Sequence, residues 1–361
     1  RAVSGSFFAY VKELEDGKKS SSVYSKKTLW VSPALRQSGS WANLYGPGHS
    51  LMDKLEGLTK RLRDLMSMLE QFEGAFDATQ ADLSKTTSAL DEMLFALNLV
   101  LEGEDDSYVY SAELDRDPQR VAEALTAAKL DIGETLATDF YSEQKSVVFT
   151  SATLGTGDCD KPFAHFLRTS GLCLVDKERV CTRQLNSSYD FEHHMSILLP
   201  DGMPEPNQSS YHGALKKLLL AVHTAMGGSV LTLFTNRREM ESLYHELKPK
   251  LKAEGVELIA QTRGTSTKNL RDRFLQDEDL CLFALKSFWE GFDAPGETLR
   301  CVVIPKLPFG LPSDPIAKER EAREKRAAWR RYYLPEAIMD LKQAAGRLIR
   351  TSTDSGWPMR A

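Results

Sequence analysis

At 361 residues, 42% hydrophobic and 27% charged, the chain has ordinary globular composition and is long enough for two or three folded domains. Its formal net charge of −5 argues against wrapping duplex DNA by bulk charge, and no run of about 18 apolar residues is present to span a bilayer, so no membrane partner is expected. Five cysteines, odd in number and irregularly spaced, make no disulfide framework; Cys159, Cys173 and Cys181 lack the close pairs of zinc or iron–sulfur sites, so reduced thiols, no metal site and a cytoplasmic setting are expected. The first residue is Arg1 rather than methionine, which reads as a piece of a longer product.

Phe7, Phe8, Tyr10, Val11 and Leu14 suit a short amphipathic helix, and Gly46-Pro47-Gly48 reads as a turn. From Leu51 a heptad seam begins, through Leu55, Leu58, Leu62, Leu65, Leu69, Phe72 and Phe76. A second set runs Leu83, Leu90, Leu94, Leu97 and Leu101, with weak turn signals from Gly74 to Thr79 between them. Two antiparallel helices are favoured over one continuous helix, because a lone seam would need a partner chain; the leucines are read as core. An acidic knot follows at Glu102, Glu104, Asp105 and Asp106. Gln119 to Leu136 reads as another helix.

Beyond residue 140, short apolar runs alternate with helical patterns. Strands are expected at Ser146–Thr150, Met195–Leu199, Ser229–Thr235, Val256–Ala260, Leu280–Leu285 and Cys301–Ile304. Helices are expected near Phe163–Leu167 and at Tyr211–Met226, Arg237–Lys252, Lys268–Leu275, Ile316–Arg331 and Pro335–Ile349. This alternation predicts an α/β fold, a parallel sheet with flanking helices, preceded by an α-helical hairpin domain. Ligands of such sheets bind beyond the carboxyl ends of the strands.

The chemistry-bearing residues fall at those ends. On the helix expected from Pro335, Gln343, Arg347 and Arg350 stand at i, i+4 and i+7, one face carrying two guanidinium forks suited to a polyphosphate, and Gly346 opens the backbone to a bulky ligand. Thr235 and Asn236 suit a helix cap. Glu290, Gly291 and Asp293 suit a turn. Phe288, Trp289 and Phe309 suit either a core or base stacking, with Trp289 the best stacking candidate. Lys318 through Arg331 carries seven basic and three acidic side chains around Trp329. His193 and His194 would point apart on a strand, which argues against a shared metal.

In order and spacing, Ser151-Ala152-Thr153-Leu154, Phe234-Thr235-Asn236, Ser287-Phe288-Trp289-Glu290-Gly291-Phe292-Asp293 and Gln343-Ala344-Ala345-Gly346-Arg347-Leu348-Ile349-Arg350 resemble the late motifs of superfamily 2 helicases, closest to the DinG branch related to XPD. The resemblance runs from about Gln144 to Thr353. It implies a RecA-like second motor domain over 186–361, a first-motor-domain tail with motif III over 141–185, and an arch-like helical domain over 1–140. It further implies catalytic roles for Gln343, Arg347 and Arg350 at the γ-phosphate. ATP contact or coupling falls to Gly346, Glu290, Gly291, Asp293, Ser151 and Thr153, and DNA contact to Thr235, Asn236, Arg237, Ser287, Trp289 and Phe309.

The implied function is the C-terminal part of an ATP-dependent 5′→3′ DNA helicase, a hydrolase acting on single-stranded or forked DNA in repair or replication. ATP and Mg²⁺ are its expected cofactors, single-stranded DNA and the missing first motor domain its partners, and a monomer its expected state. No G-x-x-x-x-G-K-[ST] and no Asp-Glu-Ala-His box occurs, so the chain alone is expected to be inactive. Any iron–sulfur cysteines of such a protein would lie outside the sequence. The family pattern also continues past Ala361, so a truncated last strand is expected. The rival reading is a non-catalytic module that binds single-stranded DNA or a protein.

Overall fold

A computed structural model describes residues 2–14, 26–72, 74, 76–115, 123–156, 161–187, 189–288, 294, 296–349 and 357–360. The chain divides into two compact units, one of Arg1–Leu136 with Gly310–Ala328, the other of Ala137–Phe309 with Trp329–Ala361.

The first unit contains α1 (Ala2–Lys12), β1 (Lys26–Trp30), α2 (Gly39–Leu69), α3 (Asp77–Glu102), β2 (Tyr108–Asp115) and β3 (Ala124–Lys129). The heptad region folds back on itself. Tyr45 bonds Glu102, Arg63 bonds Asp91 and Thr87 reaches Met66, an antiparallel register along the whole hairpin. The leucine seam is only partly the core expected: Leu101 is buried and Leu51 and Leu97 pack on the core, but Leu58 and Leu65 are 46% and 43% exposed, while Thr59 and Thr87 are buried. The Gly46-Pro47-Gly48 turn is also corrected, since α2 runs through it. Proline inside a helix costs about 3 kcal/mol, and burial of Trp41 and Leu44 in this stretch offsets that. Gly48 is needed there, because a Cβ would meet Leu101 Cδ1 at 2.6 Å.

The strands β1, β2 and β3 form an antiparallel sheet in that order. The helix expected over Gln119–Leu136 is corrected by β3. Leu125 and Ala127 pack on the core at a period of two, and a short apolar run is ambiguous between helix and strand.

The second unit holds α4 (Ala164–Thr169), α5 (Tyr211–Met226), β4 (Val230–Leu233), α6 (Arg237–Ala253), β5 (Glu257–Ala260), α7 (Thr267–Gln276), β6 (Leu280–Ala284) and β7 (Cys301–Ile304). Between β7 and the last helix, α8 (Pro315–Glu324) belongs to the first unit, where Trp30 Nε1 on β1 donates to Glu319 at 2.7 Å. The helix expected through Arg331 breaks at Lys325, whose φ is 51°. Then come α9 (Leu334–Ala345) and β8 (Trp357–Arg360). The sheet is parallel with order β5-β6-β4-β7-β8.

Alternation sends Leu231, Leu233, Leu282, Ala284, Val302 and Ile304 to the face covered by α7 and α9. It sends Val230, Cys281, Phe283, Cys301 and Val303 to the face covered by α5 and α6. Burial pushes both thiols, Cys281 and Cys301, up to about 12, so neither is a nucleophile. Two expected strands are absent. Ser146–Thr150 has no strand partner among the described residues and leaves Val148 85% exposed, and Met195–Leu199 makes only single bridges at Met195 and Leu198. No helix among the described residues is long and apolar enough to cross a membrane.

His223 on α5 is fully buried, with Nε2 2.9 Å from Thr232 Oγ1, and burial lowers its pKa to about 3. A depressed histidine pKa favours folding above the unfolded value and loses that contribution as pH falls toward the folded one. Between pH 7 and pH 5 the loss should be about 2 kcal/mol. Urea unfolding at the two pH values should show it, and His223→Gln should remove most of the difference.

Candidate functional site at the carboxyl edge of the parallel sheet

Leaving β4, Phe234 is buried and Thr235 and Asn236 are exposed. Asn236 caps α6: its Oδ1 accepts the Arg238 N–H at 2.9 Å and the Glu239 N–H at 3.3 Å. Arg237 turns to the next loop, where Nη1 donates to the Gln261 carbonyl at 2.8 Å. Gln261 follows β5 and is 8% exposed. Its Oε1 accepts the Leu285 N–H at 2.9 Å and its Nε2 donates to Ser287 Oγ at 2.8 Å. One amide therefore fastens the loop after β6 to the loop after β5, and through its own backbone to Arg237. Thr235, Asn236, Arg237 and Ser287, expected separately from the sequence, lie along one edge.

Gln261 was missed. Its only signal was a lone polar side chain directly after an apolar strand. Gln261→Leu leaves the Leu285 N–H without its acceptor, and an unsatisfied buried donor costs about 1–3 kcal/mol. A lowered melting midpoint with unchanged secondary structure is the expected result.

Lys306 was also missed. Following β7, its Nζ bonds Glu239 Oε1 at 2.7 Å and stands 5.0 Å from the Tyr211 ring, while Tyr211 donates to the Pro305 carbonyl at 2.8 Å. Burial, reinforced by Glu239, holds the Tyr211 phenol well above its ordinary pKa. These contacts tie the β7 loop to the first turn of α6.

The helical face expected to carry Gln343, Arg347 and Arg350 is corrected at Arg347. The helix α9 stops at Ala345, Gly346 is its cap, and the Arg347 N–H bonds the Ala344 carbonyl in a tight turn. Leaving the helical path lets the adjacent Leu348 and Ile349 both bury against the sheet. A Cβ on Gly346 would stand 3.0 Å from the Lys342 carbonyl oxygen, so the glycine serves the close of the helix. Arg347 is 2% exposed, and Gln343 Oε1 is buried without a hydrogen-bond partner among the described residues.

Ser151 Oγ lies 3.2 Å from both Thr153 N and Thr153 Oγ1. The loop they begin reaches α9, since Lys342 Nζ donates to the Gly155 carbonyl at 2.8 Å. Phe288 is fully buried in the core, Phe309 is half-buried, and Arg350, Trp289, Glu290, Gly291 and Asp293 lie outside the described residues. Chemically, the edge combines a capped helix N-terminus, a guanidinium and hydroxyls, a donor set suited to phosphate oxygens.

Residues 219–359 match the family described as Helicase C-terminal domain. The chain is 27% identical over 367 residues to the 3′-5′ exonuclease DinG of Bacillus subtilis, covering 99% of this chain and 39% of that protein. It is 30% identical over 230 residues to the ATP-dependent DNA helicase YoaA of Haemophilus influenzae, covering 63% of this chain and 34% of that one. Against a solved structure of XPD without ligand it gives a TM-score of 0.55 at 14% identity, covering all of this chain and 64% of that one. The chain thus spans well under half the length of these two curated relatives.

Proposed function

Because the chain carries the C-terminal region of a DinG- and XPD-like superfamily 2 helicase, we propose that it supplies the second motor domain and arch of an ATP-dependent DNA helicase that moves 5′→3′ on single strands in repair or replication. Residues 186–361 act as the motor domain, 141–185 as the tail of a first motor domain, and 1–140 as the arch. The phosphates of one strand run along Thr235, Asn236, Arg237 and Ser287. ATP with Mg²⁺ is shared with a nucleotide-binding first motor domain, and Gln343, Arg347 and Arg350 serve its γ-phosphate. Ser151, Thr153, Gly346, Glu290, Gly291 and Asp293 couple the two. The protein acts in the cytoplasm as a monomer.

The observation that carries this reading is the Arg237–Gln261–Ser287 linkage, which ties the loop after β4 to the loop after β6 along one edge. Anisotropy titration of this chain with labelled oligo-dT at several salt concentrations tests it. Each phosphate neutralised contributes a slope of about −0.7 in log K against log salt for single strands. Arg237→Ala should flatten that slope by about one contact. A slope of zero, or one that Arg237→Ala leaves unchanged, defeats the placement of the strand. A second expectation concerns turnover. Without a phosphate-cradling loop of its own, this chain should show no oligo-dT-stimulated ATP hydrolysis, and turnover on its own would overturn the division of labour proposed.

A further inference from the structure

Phe309 is the last residue of the sheet-bearing unit before the chain departs for Gly310–Ala328, and Trp329 is the first on its return. Their ring centroids stand 4.6 Å apart with the planes 38° from parallel, and Tyr333 meets Trp329 edge-on at 6.3 Å. Phe309 is half-buried, while Trp329 leaves 46% of its surface to solvent. The indole opens a π-helical turn, Trp329–Tyr333, a rare conformation that recurs at functional sites. Next to it come two exposed arginines, Arg330 and Arg331, the second with its guanidinium 5.8 Å from the Tyr332 ring.

A core aromatic would be covered, and a lone surface tryptophan would lack a second ring behind it. Here one indole is backed by a phenyl ring, open to water, and followed directly in the chain by two exposed arginines. A flat aromatic group carrying negative charge complements all three features. A single-stranded base with its phosphate has that form, whereas a duplex hides its base faces in its own stack.

We propose that Trp329, backed by Phe309, is a stacking platform for one base of a single strand, with Arg330 beside the adjoining phosphate. The proposal rests on the single-strand reading above and adds to it a base-contacting residue outside the helicase motifs.

The test uses the 361-residue chain with two labelled oligonucleotides of equal length, oligo-dT and an abasic strand with the same phosphates. The unaltered chain should bind oligo-dT more tightly than the abasic strand. Trp329→Ala should weaken oligo-dT binding by about 5- to 150-fold, the range expected for one stacked base. It should leave abasic binding unchanged, and Trp329→Phe should recover most of the loss. If Trp329→Ala weakens both strands equally, or neither, the platform is overturned. In the second case, a lowered melting midpoint would assign the aromatic pair to closing the neck of the excursion. An unaltered chain that binds neither strand defeats the single-strand reading itself, an outcome distinct from a failure of Trp329 alone.

Discussion

Arg347→Ala, placed in an enzyme that joins this region to a nucleotide-binding motor domain, is expected to lower DNA-stimulated kcat by about 10³- to 10⁵-fold, the range of an arginine finger. At 1.36 kcal/mol per decade that is about 4 to 7 kcal/mol of transition-state stabilisation. In the proposed finger role the guanidinium would bond charge that develops during phosphoryl transfer, so kcat should fall far more than KM rises. The structure adds a reason for the steepness. Arg347 lies on a tight turn after α9 and is 2% exposed, so its side chain is held before any nucleotide arrives. Arg347→Lys should rescue little, because a point charge does not reproduce a planar fork. Burial of this residue also means its loss costs stability, so melting and kcat must be read on the same samples. Lost single-strand affinity with turnover per bound enzyme preserved would move Arg347 to the DNA track and refute its assignment to the phosphate.

The sheet was legible because its strands are short, apolar on both faces and separated by amphipathic helices of regular period. Val230–Leu233 and Leu280–Ala284 have no polar face to confuse a reading. Ser146–Thr150 carries the same signal and forms no strand. A run of β-type residues specifies a strand only where another edge is present to pair with. The opposite error occurred at β3, where alanines and a leucine fit either period and pairing with β2 decided. The helical hairpin was found, but its buried interior includes threonines that a search for leucines passes over.

At the candidate site, the bonds between residues were not legible in the sequence. Arg237 and Ser287 are 50 positions apart, and nothing in either loop names Gln261, which links them. In the sequence alone, Gly346 reads as room for a ligand. Its neighbours show a helix terminator that redirects the following residues into the core, so the spacing argument for Arg347 fails where the helix ends.

Phe288→Ala is expected to cost about 3–5 kcal/mol of unfolding free energy, the range for truncating a buried aromatic ring. The residue sits one position after Ser287 in the same motif, and its sequence context suited base stacking as well as core packing. The structure decides for packing: its ring is fully buried in the core cluster that also holds Leu231, Leu282, Ala344 and Leu348. Those residues belong to β4, β6, α9 and the turn carrying Arg347, so a cavity there would loosen the floor beneath both motifs. Urea unfolding should show the full loss, and Phe288→Leu, which retains most of the buried volume, should cost well under half as much. Folded Phe288→Ala protein should keep the oligo-dT affinity of the unaltered chain, because a ring with no exposed face cannot stack on a base. Unchanged stability combined with weakened oligo-dT binding would reverse the assignment and put Phe288 on the strand.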